Sequence, residues 1–380
     1  MKIVGIVVEY NPLHNGHLHH INEVKRQSKC DVLIAVMSGY FTQRGEPAIV
    51  DKFTRTKWAL SNGIDLVVEL PFVWSVQNAN RFAFSSIAIL DKLGVTDVYF
   101  GSESNDIEQL KQYGDVLQSD SYNQKLHTYL QEGYSYPTAS DMAMSAVHPN
   151  SDYDKPNNIL GIQYIIAGNE LHSSITFHTI QRIKTGYFDH ITEHTDIQSA
   201  TAIRQLLRDQ QDISMYVPQD VARTFDNHSI VTYDDFVPTL KSIVHRESAE
   251  SLQQYAHVVE GLENRMKTIH TFDSIDSFIQ QLISKRYPIS KLQRMIAHIL
   301  CNVTDSEITS FRPQYIRVLG MNTNGQGHLN AIKKDIDVPI YTKIKEGLHP
   351  YIDIELRVAK VYSIASKTAL YTQEFKPVII

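Results

Sequence analysis

The sequence predicts an α/β protein: a doubly wound parallel sheet in residues 1–226, followed by a mainly helical C-terminal domain in residues 227–380. Three observations carry that reading. Short, β-branched apolar runs alternate with amphipathic segments through the first hundred residues, and strands buried on both faces of a parallel sheet look like this. The first such run passes directly into a turn and a helix. Past about Asp226 the strand-like runs thin out, and residues 240–308 follow a helical period.

The first run is Ile3-Val4-Gly5-Ile6-Val7-Val8. Asn11-Pro12 ends it, because the residue before a proline is pushed out of helical backbone geometry. After His14-Asn15-Gly16-His17, the apolar residues Leu18, Ile21 and Val24 recur every third position, so a helix begins at that turn. A strand feeding a helix N-terminus presents unpaired backbone N–H groups and about half a positive charge, where a phosphate can sit. Gly16 leaves room for a ligand against the backbone. His14 and His17, three residues apart, project to one side of the turn and can donate hydrogen bonds to an α-phosphate under attack. Two bland readings compete: a half-formed metal site, against which no Cys or further His or Glu follows at ligand spacing, and surface histidines in a chain that has 17 of them.

Residues 31–37, 66–70 and 98–100 read as the next three strands, with helices at about 48–61 and 78–93. Ligands of such sheets gather beyond the carboxyl ends of the strands, so residues 11–17, 38–45, 69–71 and 101–103 matter most. In the long loop after the second strand, Arg44 reads either as a ligand contact or as a solvated side chain. Lys52 and Arg55 read as lining the same mouth or as surface charge. Residues 106–153 are helical but polar and look like an insertion. Pro156-Asn157-Asn158 opens another helix, with either Asn a candidate N-cap. Residues 175–180 form a fifth strand, and Arg182 just beyond it is placed to meet a ligand. In Ser199-Ala200-Thr201-Ala202-Ile203-Arg204, Ser199 or Thr201 caps a helix, and Arg204 can swing back to pair with phosphate in a planar fork. Lys285, Arg286, Lys291 and Arg294 cluster around Tyr287, a pattern suited to an RNA backbone with a stacked base. Residues 316–320 and 339–341 look like short strands flanking a helix near 330–334, and a last helix covers 353–371.

Composition narrows the classes. With 380 residues, 42% hydrophobic and 21% charged, the chain is long enough for two domains or three, each with a core. A formal net charge of −6 argues against a protein that coats nucleic acid, while leaving room for a local basic face. Cys30 and Cys301 are the only cysteines and are far apart, so a reducing cytoplasm is the expected setting. No apolar run has membrane-spanning length, and the apolar start is too short for a signal peptide.

Taken together, His14-Asn15-Gly16-His17 and the Ser199–Arg204 segment resemble the paired HxGH and (I/S)SxTxxR signatures of the nucleotidyltransferase superfamily. Longer pieces, residues 5–17, 37–48, 65–71, 156–161, 260–265 and 284–287, are similar to the bacterial tRNA(Met) cytidine acetate ligase family over nearly the whole chain. Ala200 departs, standing where many superfamily members have Ser. The resemblance implies an HxGH nucleotidyltransferase-like Rossmann fold and an enzyme that uses ATP and Mg2+ to activate acetate as acetyl-adenylate. The acetyl group then passes to N4 of the wobble cytidine of elongator tRNA(Met). It implies ATP contacts from Val7, Val8, Glu9, Tyr10, Asn11, Pro12, Leu13, His14, Asn15, Gly16, His17, Leu18, His19 and His20. Further contacts fall on Gly101, on Asn157 (with Asn158 the near alternative) and on Arg182. His14, His17 and Arg204 take the catalytic roles, Ser199 and Thr201 steady the leaving phosphates, Lys285, Arg286, Lys291 and Arg294 hold tRNA, and no residue is assigned to a metal. Three rivals remain: a small-molecule nucleotidyltransferase, a non-catalytic tRNA-binding factor, and a class I-like aminoacyl-tRNA synthetase, which lacks a KMSKS-type loop here.

Overall fold

A computed structural model describes residues 1–149, 153–182, 196–226 and 230–380. Residues 150–152 of the polar insertion, and 227–229 where the sequence places a domain boundary, lie outside that description.

Five strands form the parallel part of one sheet: β1 (Ile3–Val8), β2 (Val32–Ser38), β3 (Leu66–Leu70), β4 (Asp97–Ser102) and β5 (Thr176–Gln181). Their spatial order is β5-β4-β1-β2-β3. The chain therefore winds outward from β1 in one direction through β2 and β3, then returns to the other side with β4 and β5. That reversal opens a crevice at the carboxyl ends of β1 and β4, where open α/β sheets bind ligands. Alternate strand residues face opposite ways: Ile34, Val36 and Val68 join one buried cluster, and Leu33, Ala35 and Val67 the other.

The sheet does not end at residue 226. β6 (Ile316–Met321) lies antiparallel against β3, and β7 (Ile340–Tyr341) and β8 (Val378–Ile379) both pair with β6. The helices of the C-terminal half, among them Val237–Arg246, Ile289–Cys301 and Pro350–Ser366, pack in the same buried cluster as Ile34 and Val68. One buried core thus covers one face of a sheet built from both halves of the chain. Residues 240–308 are helical as expected, and the polar insertion is three helices, Ile107–Gln118, Asp120–Gln131 and Tyr136–Val147.

Lys52 and Arg55 differ from both readings offered for them: each is 0% exposed. Lys52 Nζ lies 2.5 Å from Glu69 Oε1 on β3 and 3.0 Å from Glu374 Oε2. Arg317 of β6 completes the group, at 2.7 Å from Glu69 and 2.6 Å from Glu374. Arg55 donates to the carbonyls of Glu9 and Gly39, tying the loops after β1 and β2 together.

Candidate active site

His14 is the N-cap of the Asn15–Ser28 helix. Its Nδ1 accepts the Gly16 N–H at 3.1 Å, and His17 Nδ1 accepts the His14 N–H at 3.3 Å, a reciprocal capping box built from two imidazoles. The rings stack 3.7 Å apart, with Tyr10 edge-on to His17. A ring nitrogen that accepts a backbone N–H carries no proton, so each neutral ring holds its proton on Nε2. Burial keeps them neutral. It pushes His14 down to about 4, helped by the nearby Arg182 charge. His17 lies well below its ordinary value for the same first cause, reinforced by His14 and Arg182.

This corrects two expectations. The first-turn N–H groups are not left open for a phosphate: Asn15 N–H donates to Tyr216 O at 2.9 Å, Gly16 N–H to His14, and His17 N–H to His14 O at 2.8 Å. The space beside Gly16 belongs to the His14 ring, 3.0 Å from where a Cβ would stand. The glycine makes the imidazole cap possible, and the outward donors of this turn are the two Nε2–H groups, backed by the helix dipole.

The second signature segment meets the first. Ser199 caps the Ala200–Arg208 helix, its Oγ accepting Ala202 N–H at 3.1 Å. The N–H groups of Ala200 and Thr201 have no acceptor among the described residues. Arg204 turns back and donates to Asn11 O at 3.0 Å, to Glu46 Oε2 at 3.2 Å and to Thr201 Oγ1 at 3.3 Å. Asn15 Nδ2 donates to the carbonyls of Asp196 and Met215, both at 2.9 Å, locking the two helix starts together.

A third group stands over the ends of β4 and β5. Glu103 caps the Pro156–Glu170 helix from outside: its carboxylate accepts Asn158 N–H at 3.0 Å and Asn157 Nδ2 at 2.5 Å. The N-cap residue itself is Lys155, so neither Asn holds that position. Asn157 Oδ1 accepts from Arg182 Nη1 at 2.8 Å, whereas Asn158 is fully buried and accepts Glu103 N–H at 3.0 Å. Asn157 is thus the one of the two that holds Arg182. Gly101, one of the ATP contacts the resemblance implies, gives room for the stem of Arg182, 3.2 Å from its missing Cβ.

Val7 and Val8 end β1 half-buried; Tyr10, Asn11, Pro12 and Leu13 are buried beneath the turn; Leu18, His19 and His20 lie half-buried along the first helix. Burial also pushes His20 down to about 4. Residues that the sequence reading left without these roles are Gln43 and Glu46, while Arg44 between them is exposed. Gln43 N–H donates to Glu9 Oε1 at 2.6 Å, and Glu46 is the carboxylate that holds Arg204. A charged residue flanking a glycine in the loop after a parallel strand was the available signal. That glycine, Gly45, has φ +90° and sits against the backbone of Gln293 and Arg294 on the Ile289–Cys301 helix, with no room for a Cβ. Arg294 therefore packs behind the site loop. Lys285 and Arg286 are exposed and further along, Arg286 facing Glu260 at 3.4 Å. Tyr287, offered for base stacking, is only 4% exposed, with Lys291 Nζ 4.8 Å from its ring.

The model of the HIGH Nucleotidyl Transferase family matches residues 1–376. A tRNA(Met) cytidine acetate ligase of Lysinibacillus sphaericus is 38% identical over 390 residues, covering 98% of this chain and 97% of its own. The Bacillus subtilis protein of that name is 37% identical over 392 residues, covering 98% and 94%. The chain belongs to the tRNA(Met) cytidine acetate ligase family. Among solved structures of the family, Thermotoga maritima TmcAL bound with alpha-thio ATP matches with a TM-score of 0.89 and 32% identity over 100% of both chains. Its apo form gives 0.90 and 34%, again over 100% of both.

Proposed function

We propose that this chain is an ATP-dependent acetate–tRNA ligase. It joins acetate to the α-phosphate of ATP, releasing pyrophosphate, and passes the acetyl group from acetyl-adenylate to N4 of the wobble cytidine of elongator tRNA(Met). The observation that carries the reading is the meeting of the two signature segments, with Arg204 bonded to the backbone of the very turn that presents His14 and His17. The small-molecule nucleotidyltransferase shares the ATP half of this site but leaves the C-terminal half of the family match unexplained.

Acetate is already ionised and nucleophilic at neutral pH, so adenylation needs positioning and charge neutralisation rather than a base. The Nε2–H groups of His14 and His17 point at the oxygens that gain charge as the α-phosphate is attacked. Because their Nδ1 atoms are held by backbone N–H groups, the rings arrive oriented and need no rearrangement at the moment of reaction. Arg204, the N–H groups of Ala200 and Thr201, and the Ser199 hydroxyl steady the departing pyrophosphate. Arg182, aimed by Asn157, sits beside the nucleoside. Mg2+ would be held largely by the triphosphate oxygens and its own waters, and arrives with the substrate. In the second step the cytidine amine attacks the mixed anhydride and the adenylate leaves; a wobble base is unpaired and reaches the site without melting a helix. Lys285, Arg286, Lys291 and Arg294 are proposed to meet the RNA backbone, on the side where the Ile289–Cys301 helix backs the site loop.

The test is ATP–pyrophosphate exchange with and without acetate, followed by transfer of labelled acetate to tRNA(Met). Acetate-dependent exchange is expected without RNA, and His17→Ala should lower it by about 10²–10³-fold, the usual cost of removing one such donor. Exchange indifferent to acetate would end this reading.

A further inference from the structure

A cavity of about 320 Å3 lies apart from the clamp, lined by residues that include Gln77, Arg81, His257, Asp305 and Phe311. It is at the small end of protein ligand pockets, with room for one ring system. None of the residues assigned above to the triphosphate lines it. The two sites are nevertheless two links apart: Gln77 O accepts from Gln43 Nε2 at 2.5 Å, and Gln43 N–H donates to Glu9, at the start of the histidine turn.

Two side-chain atoms of the lining stand unpaired. Gln77 Oε1 and His257 Nε2 are buried without a hydrogen-bond partner among the described residues. Gln77 Nε2 is committed to Val73 O at 3.1 Å, which fixes the amide's orientation. Burial keeps the His257 ring neutral, so its unpaired Nε2 is able to accept. Asp305 adds a third acceptor at the rim. In the same lining the Arg81 guanidinium lies over the Phe311 ring, 4.5 Å from its centroid. Unstacked RNA bases settle on flat surfaces of this kind, aromatic rings and guanidinium planes alike. The cavity therefore asks for a flat ligand that carries an amine.

Continuity with the basic helix selects RNA as its source. His298, on the Ile289–Cys301 helix, meets the His257 ring at 4.7 Å, and the Arg294 charge bears on the same ring. A tRNA that reads the methionine codon AUG has adenine directly 3′ of its wobble cytidine. We infer that this cavity holds that adenine, its exocyclic amine donating to Gln77 Oε1 and His257 Nε2 and its ring resting on the Arg81–Phe311 pair. The inference rests on the ligase reading above and adds to it a second base contact. The neighbour is read in the cavity while the cytidine occupies the clamp, so that other cytidine-bearing anticodons are refused.

The experiment compares two full-length tRNA(Met) molecules, one natural and one with purine in place of that adenine, which removes only the amine. A site built to bond an amine rejects the analogue lacking it, so kcat/KM for acetyl transfer should fall by about tenfold or more on the purine RNA. In His257→Phe the two RNAs should be used nearly alike, with RNA-independent, acetate-dependent exchange at the wild-type rate as evidence that the variant is folded. Equal use of both RNAs by the wild type would overturn the inference, as would undiminished discrimination in His257→Phe. Wild-type exchange with no transfer to natural tRNA(Met) would instead remove the ligase reading, and this inference with it.

Discussion

Asn157 and Asn158 stand side by side at one helix start in opposite surroundings. The Asn157 amide spans Glu103 and Arg182 at the mouth of the crevice, and the Asn158 side chain is enclosed and holds the backbone after β4. Asn157→Ala should raise the KM for ATP in exchange several-fold with an unchanged melting temperature. Asn158→Ala should instead lower stability by about 1–3 kcal/mol, the cost of stranding a buried amide partner. Thermal melts read beside exchange kinetics separate the two; a reversed pattern would mean that Asn158 is the ligand contact. At this scale much was legible. His14, His17 and Arg204 stood out because their residue types suit phosphate chemistry and their spacing fits a helix start. What the sequence could not disclose was the use of the imidazoles as caps, since that depends on which ring nitrogen the backbone takes. Gly16 was legible as a place needing space, while the occupant of that space, the His14 ring, was not.

At the level of elements, β6 is what the sequence reading separated from the sheet it completes. It lies beside β3 through hydrogen bonds and through Arg317, whose guanidinium bridges Glu69 and Glu374 in a site without water access. Removing one member of a buried ionic group leaves the others uncompensated, which typically costs about 3–5 kcal/mol. Arg317→Met should destabilise the protein by about that amount in urea unfolding; a change under about 1 kcal/mol would mean that β-pairing alone holds the strand. Lys52 belongs to the same group and was misread for the same reason. A lysine three residues from an arginine on a helix looks like surface charge, and its partner Glu374 lies more than three hundred residues along the chain. Local periodicity found the helices and strands because those patterns are local. The pairing of β3 with β6 is set by charges that no short window contains.

For the molecule as a whole, two sets of buried groups pull stability in opposite directions with pH. Burial pushes His14, His20 and His298 down to about 4 and His257 to about 2. In the unfolded chain these rings titrate near their ordinary value of about 6.5. Between these limits the unfolded state binds more protons, so the histidines' contribution is complete above about pH 6.5 and is lost as pH falls toward 4. Glu355 acts the other way. Burial and the neighbouring Glu69 push its carboxyl up to about 8, so the folded state holds a proton that the unfolded state releases near pH 4.5. Its contribution is full in acid and is lost as pH rises through 8. Below about pH 6.5 the buried histidines, His17 among them, outnumber the carboxyls that burial raises, Glu355 and Glu9, and their slope prevails; above it the raised carboxyl of Glu355 sets the slope. The melting temperature should therefore peak near pH 6.5, fall steeply on the acid side and gently on the alkaline side. Glu355→Gln, which keeps the shape and removes the titration, should flatten the limb from pH 6.5 to 8 and steepen the acid limb slightly, where Glu355 opposes the histidines. Melting curves across pH 4.5–8.5 for both proteins decide it: an alkaline limb that survives in Glu355→Gln would place its cause outside the ionic group that joins β3, β6 and the Pro350–Ser366 helix.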